Sequence, residues 1–368
     1  MKRMAWSRSS LLLAFILLAA AAAQAQWTIE NSGTTADLRG IFNVGGGVAW
    51  ASGTNGTVLR TEDGGYLWQT CAVPPDAEHL DFRGIQAFDA NTAIVMSSGK
   101  GDLSRLYKTT DGCHTWKLIF TNLDPNGFWD AIAFKDEIHG FLLGDPVNGR
   151  FTLIHTSNGG TYWPNRDHDQ TWNSTYGTEG AFAASNSCLL APDKFSSGLQ
   201  IGFATGGEKG SRIVFETMAG EGDVYSSNWF SVPVPVARGA QSTGIFSLAM
   251  ADSRRFVAVG GNYLKPDIAV ATAAYSIDGA AHWNSAHTPP HGFRSAVAYD
   301  ADAKTWITVG PNGTDVSTDD GKNWRALHPD TASHEAPDAD RNWNALSLPF
   351  VVGPHGRIGK LNPHALAP

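Results

Sequence analysis

The sequence predicts an all-β protein, a seven-bladed β-propeller of four-stranded antiparallel blades closed by pairing of its N- and C-terminal segments. Three observations predict it. One phrase recurs along the chain: Thr or Ser, any residue, Asp, any residue, Gly, two more residues, then Trp. It is clearest as Thr61-Glu62-Asp63-Gly64-Gly65-Tyr66-Leu67-Trp68 and Ser317-Thr318-Asp319-Asp320-Gly321-Lys322-Asn323-Trp324, and looser from Thr109 to Trp116, Thr156 to Trp163 and Ser276 to Trp283. Between these boxes run short apolar stretches punctuated by Gly and Asn, with no helical periodicity beyond the first residues. Third, Trp27-Thr28-Ile29-Glu30 reads as a box Trp and fourth strand without a blade, while the unit from Asn344 to Leu361 has only three strands. Together they complete a ring, which removes the sheet edges that an open array would expose.

Residues 1–25 predict a cleaved signal peptide, and residues 26–368 a single propeller domain. Lys2, Arg3 and Arg8 make a basic start, Leu11 to Ala23 is apolar but short for a bilayer span, and Ala23-Gln24-Ala25 offers small residues for cleavage. The expected product is periplasmic or secreted, without stable membrane insertion, and monomeric. Losing the three basic residues leaves 24 Lys and Arg against 35 Asp and Glu, a net charge near −11. Such a charge repels phosphate backbones, so nucleic acid is an improbable partner. Cys71, Cys113 and Cys188 are odd in number, so one disulfide and one free thiol can form in an oxidising compartment, with the pairing open.

Each unit is expected to follow the pattern of its first copy. Gly40 to Val44 makes the innermost strand, Val48 to Gly53 the second, Thr54-Asn55-Gly56-Thr57 a hairpin and Val58 to Arg60 the third, before the box turns into the fourth. Within the box, the Asp carboxylate accepts turn amides, Gly takes the left-handed conformation, and Trp buries a large ring against the blade. The box residues Asp63, Trp68, Asp111, Trp116, Asn158, Trp163, Asp278, Trp283, Asp319 and Trp324 are therefore read as structural, since a turn repeated many times serves folding and a catalyst is needed once. The units run Arg39 to Trp68, Arg83 to Trp116, Asp130 to Trp163, about Glu179 to Trp229, Thr243 to Trp283, Arg294 to Trp324 and Asn344 to Leu361; the fourth has no clean box and is placed by spacing.

Leu38-Arg39-Gly40-Ile41 and Phe82-Arg83-Gly84-Ile85, the strands ending small-x-Gly and the Asp boxes together resemble the Asp-box, or BNR-like, propellers related to the plant and cyanobacterial photosystem II stability/assembly factor. The resemblance spans nearly the whole mature chain. It implies a binding or assembly module, because family members that assist photosystem assembly bind nascent membrane-protein subunits through an arginine-rich face.

Propeller geometry sorts the candidate site residues. The start of each innermost strand and the hairpin between second and third strands emerge on one face, and the boxes on the other. Arg39, Arg83, Asp130, Glu179, Thr243, Arg294 and Asn344 precede the innermost strands and are expected to ring one mouth of the axial channel. They can bridge neighbouring blades by ion pairs or recognise a ligand, for which the planar fork of Arg is suited. Hairpins add Asn55, Lys100, Asp145, Asn148, Arg150, Glu208, Lys209, Asn262, Lys265, Asn312 and His355 to that face, with Gly144-Asp145-Pro146-Val147-Asn148-Gly149-Arg150 the most elaborate. The connection from Pro164 to Thr178 carries Trp172 and Tyr176, a loop suited to a peptide or carbohydrate. The binding set is thus Arg39, Arg83, Asp130, Arg294, Asp145, Arg150 and Trp172, with a protein or peptide partner and no cofactor. No catalytic residue is assigned. The competing reading is a sialidase-like or other glycoside hydrolase using Asp130 and Glu179, although Arg39 is followed by Gly40-Ile41 and the sialidase Arg-Ile-Pro is absent. No metal site is assigned: Asp167-His168-Asp169, His287 with His291, and Asp338 with Asp340 lack a ligand spacing specific to a metal.

Overall fold

The computed structural model describes residues 26–164, 173–174, 177–192, 199–221, 224–329 and 335–366. Seven antiparallel sheets are arranged around one axis. Blade 1 consists of Leu38–Gly45, Val48–Gly53, Val58–Thr61 and Gln69–Thr70, from the axis outward. Blade 2 repeats it with Phe82–Ala87, Ala93–Ser97, Arg105–Thr109 and Lys117–Thr121. Blade 3 has three strands among the described residues, Trp129–Phe134, Gly140–Val147 and Arg150–Thr156. Blades 5 and 6 start at Thr243–Met250 and Ala296–Asp300 and are four-stranded. No α-helix occurs among the described residues, and none of them forms a helix long and apolar enough to cross a membrane.

The ring closes as expected. Trp27–Glu30 is the outer strand of blade 7, pairing Trp27 with Leu361 and Glu30 with Ile358 outside Phe350–Val352 and Ala345–Ser347. Trp27 is buried, 5.9 Å from the ring of Trp343.

Five box turns share one hydrogen-bond pattern. In blade 1 the Thr61 hydroxyl donates to Asp63 (2.9 Å) and accepts from the Gly65 amide (3.0 Å), while Asp63 accepts the Leu67 amide (3.0 Å). Ser317 and Asp319 repeat this in blade 6, and Thr156 does so with Asn158 in blade 3. The carboxylates are held in their charged form: the Thr115 hydroxyl and amide pull Asp111 down to about 2, and the His282 amide and ring do the same for Asp278.

The box Trp packs between blades rather than against its own sheet alone. Trp68 of blade 1 lies edge-on to Phe350 of blade 7 at 5.5 Å and donates to Glu30 of the closing strand at 2.7 Å. Trp163 of blade 3 likewise buries against Ile94, Met96 and Leu106 of blade 2. The recurrent Gly ending the second strand has a steric cause. A Cβ on Gly53 would strike the Asp37 carbonyl, one residue before an innermost strand, and one on Gly310 the Phe293 carbonyl, three residues before another.

Blade 4 departs from the expected unit. Its strands are Leu189–Leu190, Leu199–Ala204, Ser211–Glu221 and Val224–Val234, and the outer two form an eleven-residue ladder without a box. Trp229 falls in the middle of the fourth strand, opposite Glu216, instead of opening it. Cys71 and Cys113 form the disulfide, joining the end of blade 1 to the box of blade 2, and Cys188 is free and buried, with its thiol pushed up by burial.

Candidate functional site

Arg39, Arg83 and Asp130 reach one face by a common device. Each is the extra residue of a bulge near the start of an innermost strand, where register shifts between Leu38 and Gly40, Phe82 and Gly84, and Trp129 and Ala131. A bulge bends the strand and re-aims one side chain, so the short motif Leu/Phe-Arg-Gly delivers its Arg out of the sheet plane.

The two arginines converge on a carboxylate that sequence reasoning missed. Asp81 accepts from Arg83 Nε at 2.8 Å and lies 3.6 Å from Arg39 Nε, joining blades 1 and 2. Arg83 also donates to the Ala183 carbonyl at 3.0 Å. Both guanidinium side chains stay about a third exposed, at 29% for Arg39 and 31% for Arg83, so part of each fork faces solvent. Asp81 stands two residues before Arg83, a spacing visible in the sequence, but its pairing with Arg39 depends on blade-to-blade register.

Asp130 is buried beside Arg83, and its nearest acidic neighbour is Asp145 of the adjacent strand rather than Glu179. Burial and the Asp145 charge push Asp130 up, partly offset by Arg83. Burial raises Asp145 to about 6, while a hydrogen bond from the Ala181 amide at 3.0 Å acts the other way. Asp145 is thus turned into the protein, where the sequence had placed it on the hairpin surface. The hairpin beyond it is a two-residue turn with positive φ at Asn148 (52°) and Gly149 (78°), and it presents an exposed Arg150.

Glu179 is clamped by Arg212, with contacts of 2.6 and 2.8 Å, and accepts from Thr205 at 2.8 Å. A hydrolase needs an acid and a second carboxylate flanking an accessible bond. Asp130 is 1% exposed and Glu179 is tied in an ion pair, so this pair does not form such a cleft.

Arg294 requires correction as a mouth-lining binding residue. It is fully buried, with Nε donating to Asp315 at 2.8 Å, Nη1 to the Phe293 carbonyl and Asn312, and Nη2 again to Asp315. His291 lies 2.6 Å from the other Asp315 oxygen. Every Arg294 nitrogen is occupied inside blade 6, leaving nothing to offer a ligand. Trp172 and Tyr176 lie outside the described residues, as do Asp167, His168 and Asp169. Asp338 pairs with Arg357 and Asp340 with Arg341, and no three His, Cys, Asp or Glu converge among the described residues.

One segment crosses the axis, a feature the sequence did not indicate. Segment Ala183–Ser187 lies across it. Asn186 exchanges hydrogen bonds with the Ile132 backbone (2.8 and 2.9 Å), Ser185 donates to the Ser295 carbonyl (2.7 Å), and Ser187 pairs with Ser247 (2.7 Å). Blades 3, 5 and 6 are thereby pinned to one strap, and Arg83 adds blade 2.

These features define a closed seven-bladed β-propeller with a charged face built on strand bulges. No protein-family model and no curated protein matches the chain. Solved structures do match it. One described as YCF48 bound to D1 peptide superposes with a TM-score of 0.55 at 16% identity, covering 91% of this chain and 96% of that one. YCF48 from Cyanidioschyzon merolae gives 0.56 at 17% identity over 92% and 100%. The fold of this chain is that of the YCF48 structures.

Proposed function

We propose that the chain is an exported propeller that binds a peptide or a segment of another protein through the face bearing Arg39, Arg83 and Arg150. The observation that carries this reading is the pair of matching bulges in blades 1 and 2, which leave two arginine side chains about a third exposed on one sector of the surface. A guanidinium fork that keeps free donors after its structural ion pair can still take a carboxylate or a peptide carbonyl. The similarity to a propeller described as bound to a D1 peptide adds support, at the level of a shared scaffold. Residues 1–25 act in this reading as the export signal, with Gln26 the mature N-terminus; mass spectrometry finding a retained leader on the exported protein would refute that part.

Affinity capture from a periplasmic extract tests the binding surface. Arg39→Glu with Arg83→Glu is expected to cut recovery of specific partners about tenfold, since loss of charge-assisted contacts costs 1.4 kcal/mol or more. Undiminished capture by a folded double variant would remove this face from the function.

A further inference from the structure

The face that carries Arg39 and Arg83 extends outward to a groove between blades 4 and 5 with a different character. Its volume is 1050 Å³. One wall is the end of the outer strand of blade 4, where Val234 and Val236 are buried. The other is the loop between the second and third strands of blade 5, residues 262–272. That loop exposes Tyr263 (48%), Leu264 (68%), Ile268 (46%) and Val270 (74%) within eight residues. So dense an apolar display on a soluble surface marks a contact site, because scattered exposed residues need no explanation and contiguous ones do.

Charge gives the groove its selectivity. Lys209, Arg212 and Arg238 line it against a single carboxylate, Glu179, and that carboxylate is held by Arg212. Lys209 and Arg238 are exposed and have no side-chain partner among the described residues. Two uncommitted cations in one groove stand out on a chain of net charge −8. Lys265 and Asp267 are exposed on the same loop as Val270 and offset each other's charge, so the groove's cationic character rests on Lys209 and Arg238.

We propose that this groove receives a peptide segment in which aliphatic side chains stand next to a carboxylate. The aliphatic groups seat on Ile268, Val270 and Val234, and the carboxylate, from Asp, Glu or a chain terminus, is taken between Lys209 and Arg238. The inference rests on the peptide-binding reading above and supplies the partner's chemistry. A second copy of this chain is the poorer occupant, since each copy would set its own cations against those of the other.

The test selects short random peptides, displayed with free C-termini, on the immobilised mature protein, and then measures the enriched peptides in solution by fluorescence polarisation. Enriched sequences are expected to combine Leu, Ile or Val with Asp, Glu or the terminal carboxylate. Lys209→Glu with Arg238→Glu should weaken them at least about tenfold, and Val270→Asp comparably, with weaker binding at high salt. All three positions are exposed, so circular dichroism should report an unchanged fold. Enriched peptides indifferent to these changes but lost with Arg39→Glu and Arg83→Glu would overturn the groove and leave the arginine face standing. Absence of any enrichment would overturn both. A dimer seen by light scattering and dissolved by Val270→Asp would assign the groove to a second copy and likewise overturn the proposal.

Discussion

Arg294 stands one residue earlier in its repeat than Arg83 does in its own, at the inward-facing place that Leu38 and Phe82 fill in blades 1 and 2, and the two arginines take opposite roles. Asp315 encloses the first completely, whereas Asp81 leaves the second partly in water. Arg294→Met leaves Asp315 buried without its cation, so chemical denaturation should show a loss of about 3 to 5 kcal/mol. The sequence could not separate the two arginines, because Asp315 is twenty-one residues downstream and reaches Arg294 only through the register of the folded blade. Asp130 and Asp145 make a second prediction. Asp145 has a folded pKa near 6 against an ordinary 3.8, so protonation favours the folded state. The stability this group contributes is complete below pH 4 and is lost as pH rises through 6. Asp111 and Asp278, lowered to about 2, act oppositely and lose their contribution as pH falls from 4 through 2. Between pH 4 and 7 the unmodified protein should therefore lose up to about 3 kcal/mol that Asp145→Asn does not lose. Parallel pH profiles for the two proteins would contradict the buried-pair account.

The box turn was the most legible element, since each of its residues has a local job. Asn158 shows which property is required: it stands where Asp is usual and accepts the same bonds from Thr156 and the Tyr162 amide. Acceptance, rather than charge, forms the turn. Asn158→Ala should cost about 1 to 2 kcal/mol, and Asn158→Asp should stay within about 0.5 kcal/mol, read from thermal or urea unfolding. Equal loss in both variants would mean that the amide donates a bond that the turn needs. Blade 4 connects its outer strands at Glu221 and Val224 without a box, so no local residue marks the boundary. Segment Ala183–Ser187 consists of small residues suited to any loop, and its place on the axis comes from bonds to three distant strands. Its small side chains are what allow a strap to fit there, but that is visible only once the ring exists.

At the scale of the molecule, circular closure converts repeated local patterns into one polar face. Trp27–Glu30 pairs with Ile358–Leu361, which fixes the order of blades and hence the approach of blade 1 to blade 2 through Arg39 and Asp81. The sequence revealed the ring and the face on which the arginines emerge, because periodicity carries both. It did not reveal the segment that crosses the axis or the groove beside blade 5, which arise from particular connections. The two faces differ as binding surfaces. The bulge face has Arg39, Arg83 and Arg150 with the apolar loop at Val270, whereas the opposite face consists of turns whose carboxylates are saturated by their own amides. Incorporating a photoreactive phenylalanine analogue at Arg150 and Val270 on the first face, and at Tyr66 and Tyr162 on the second, measures in the intact cell which face meets a partner. Cross-linked adducts at Arg150 and Val270, with none at Tyr66 or Tyr162, are the predicted result; adducts confined to Tyr66 and Tyr162 would contradict it.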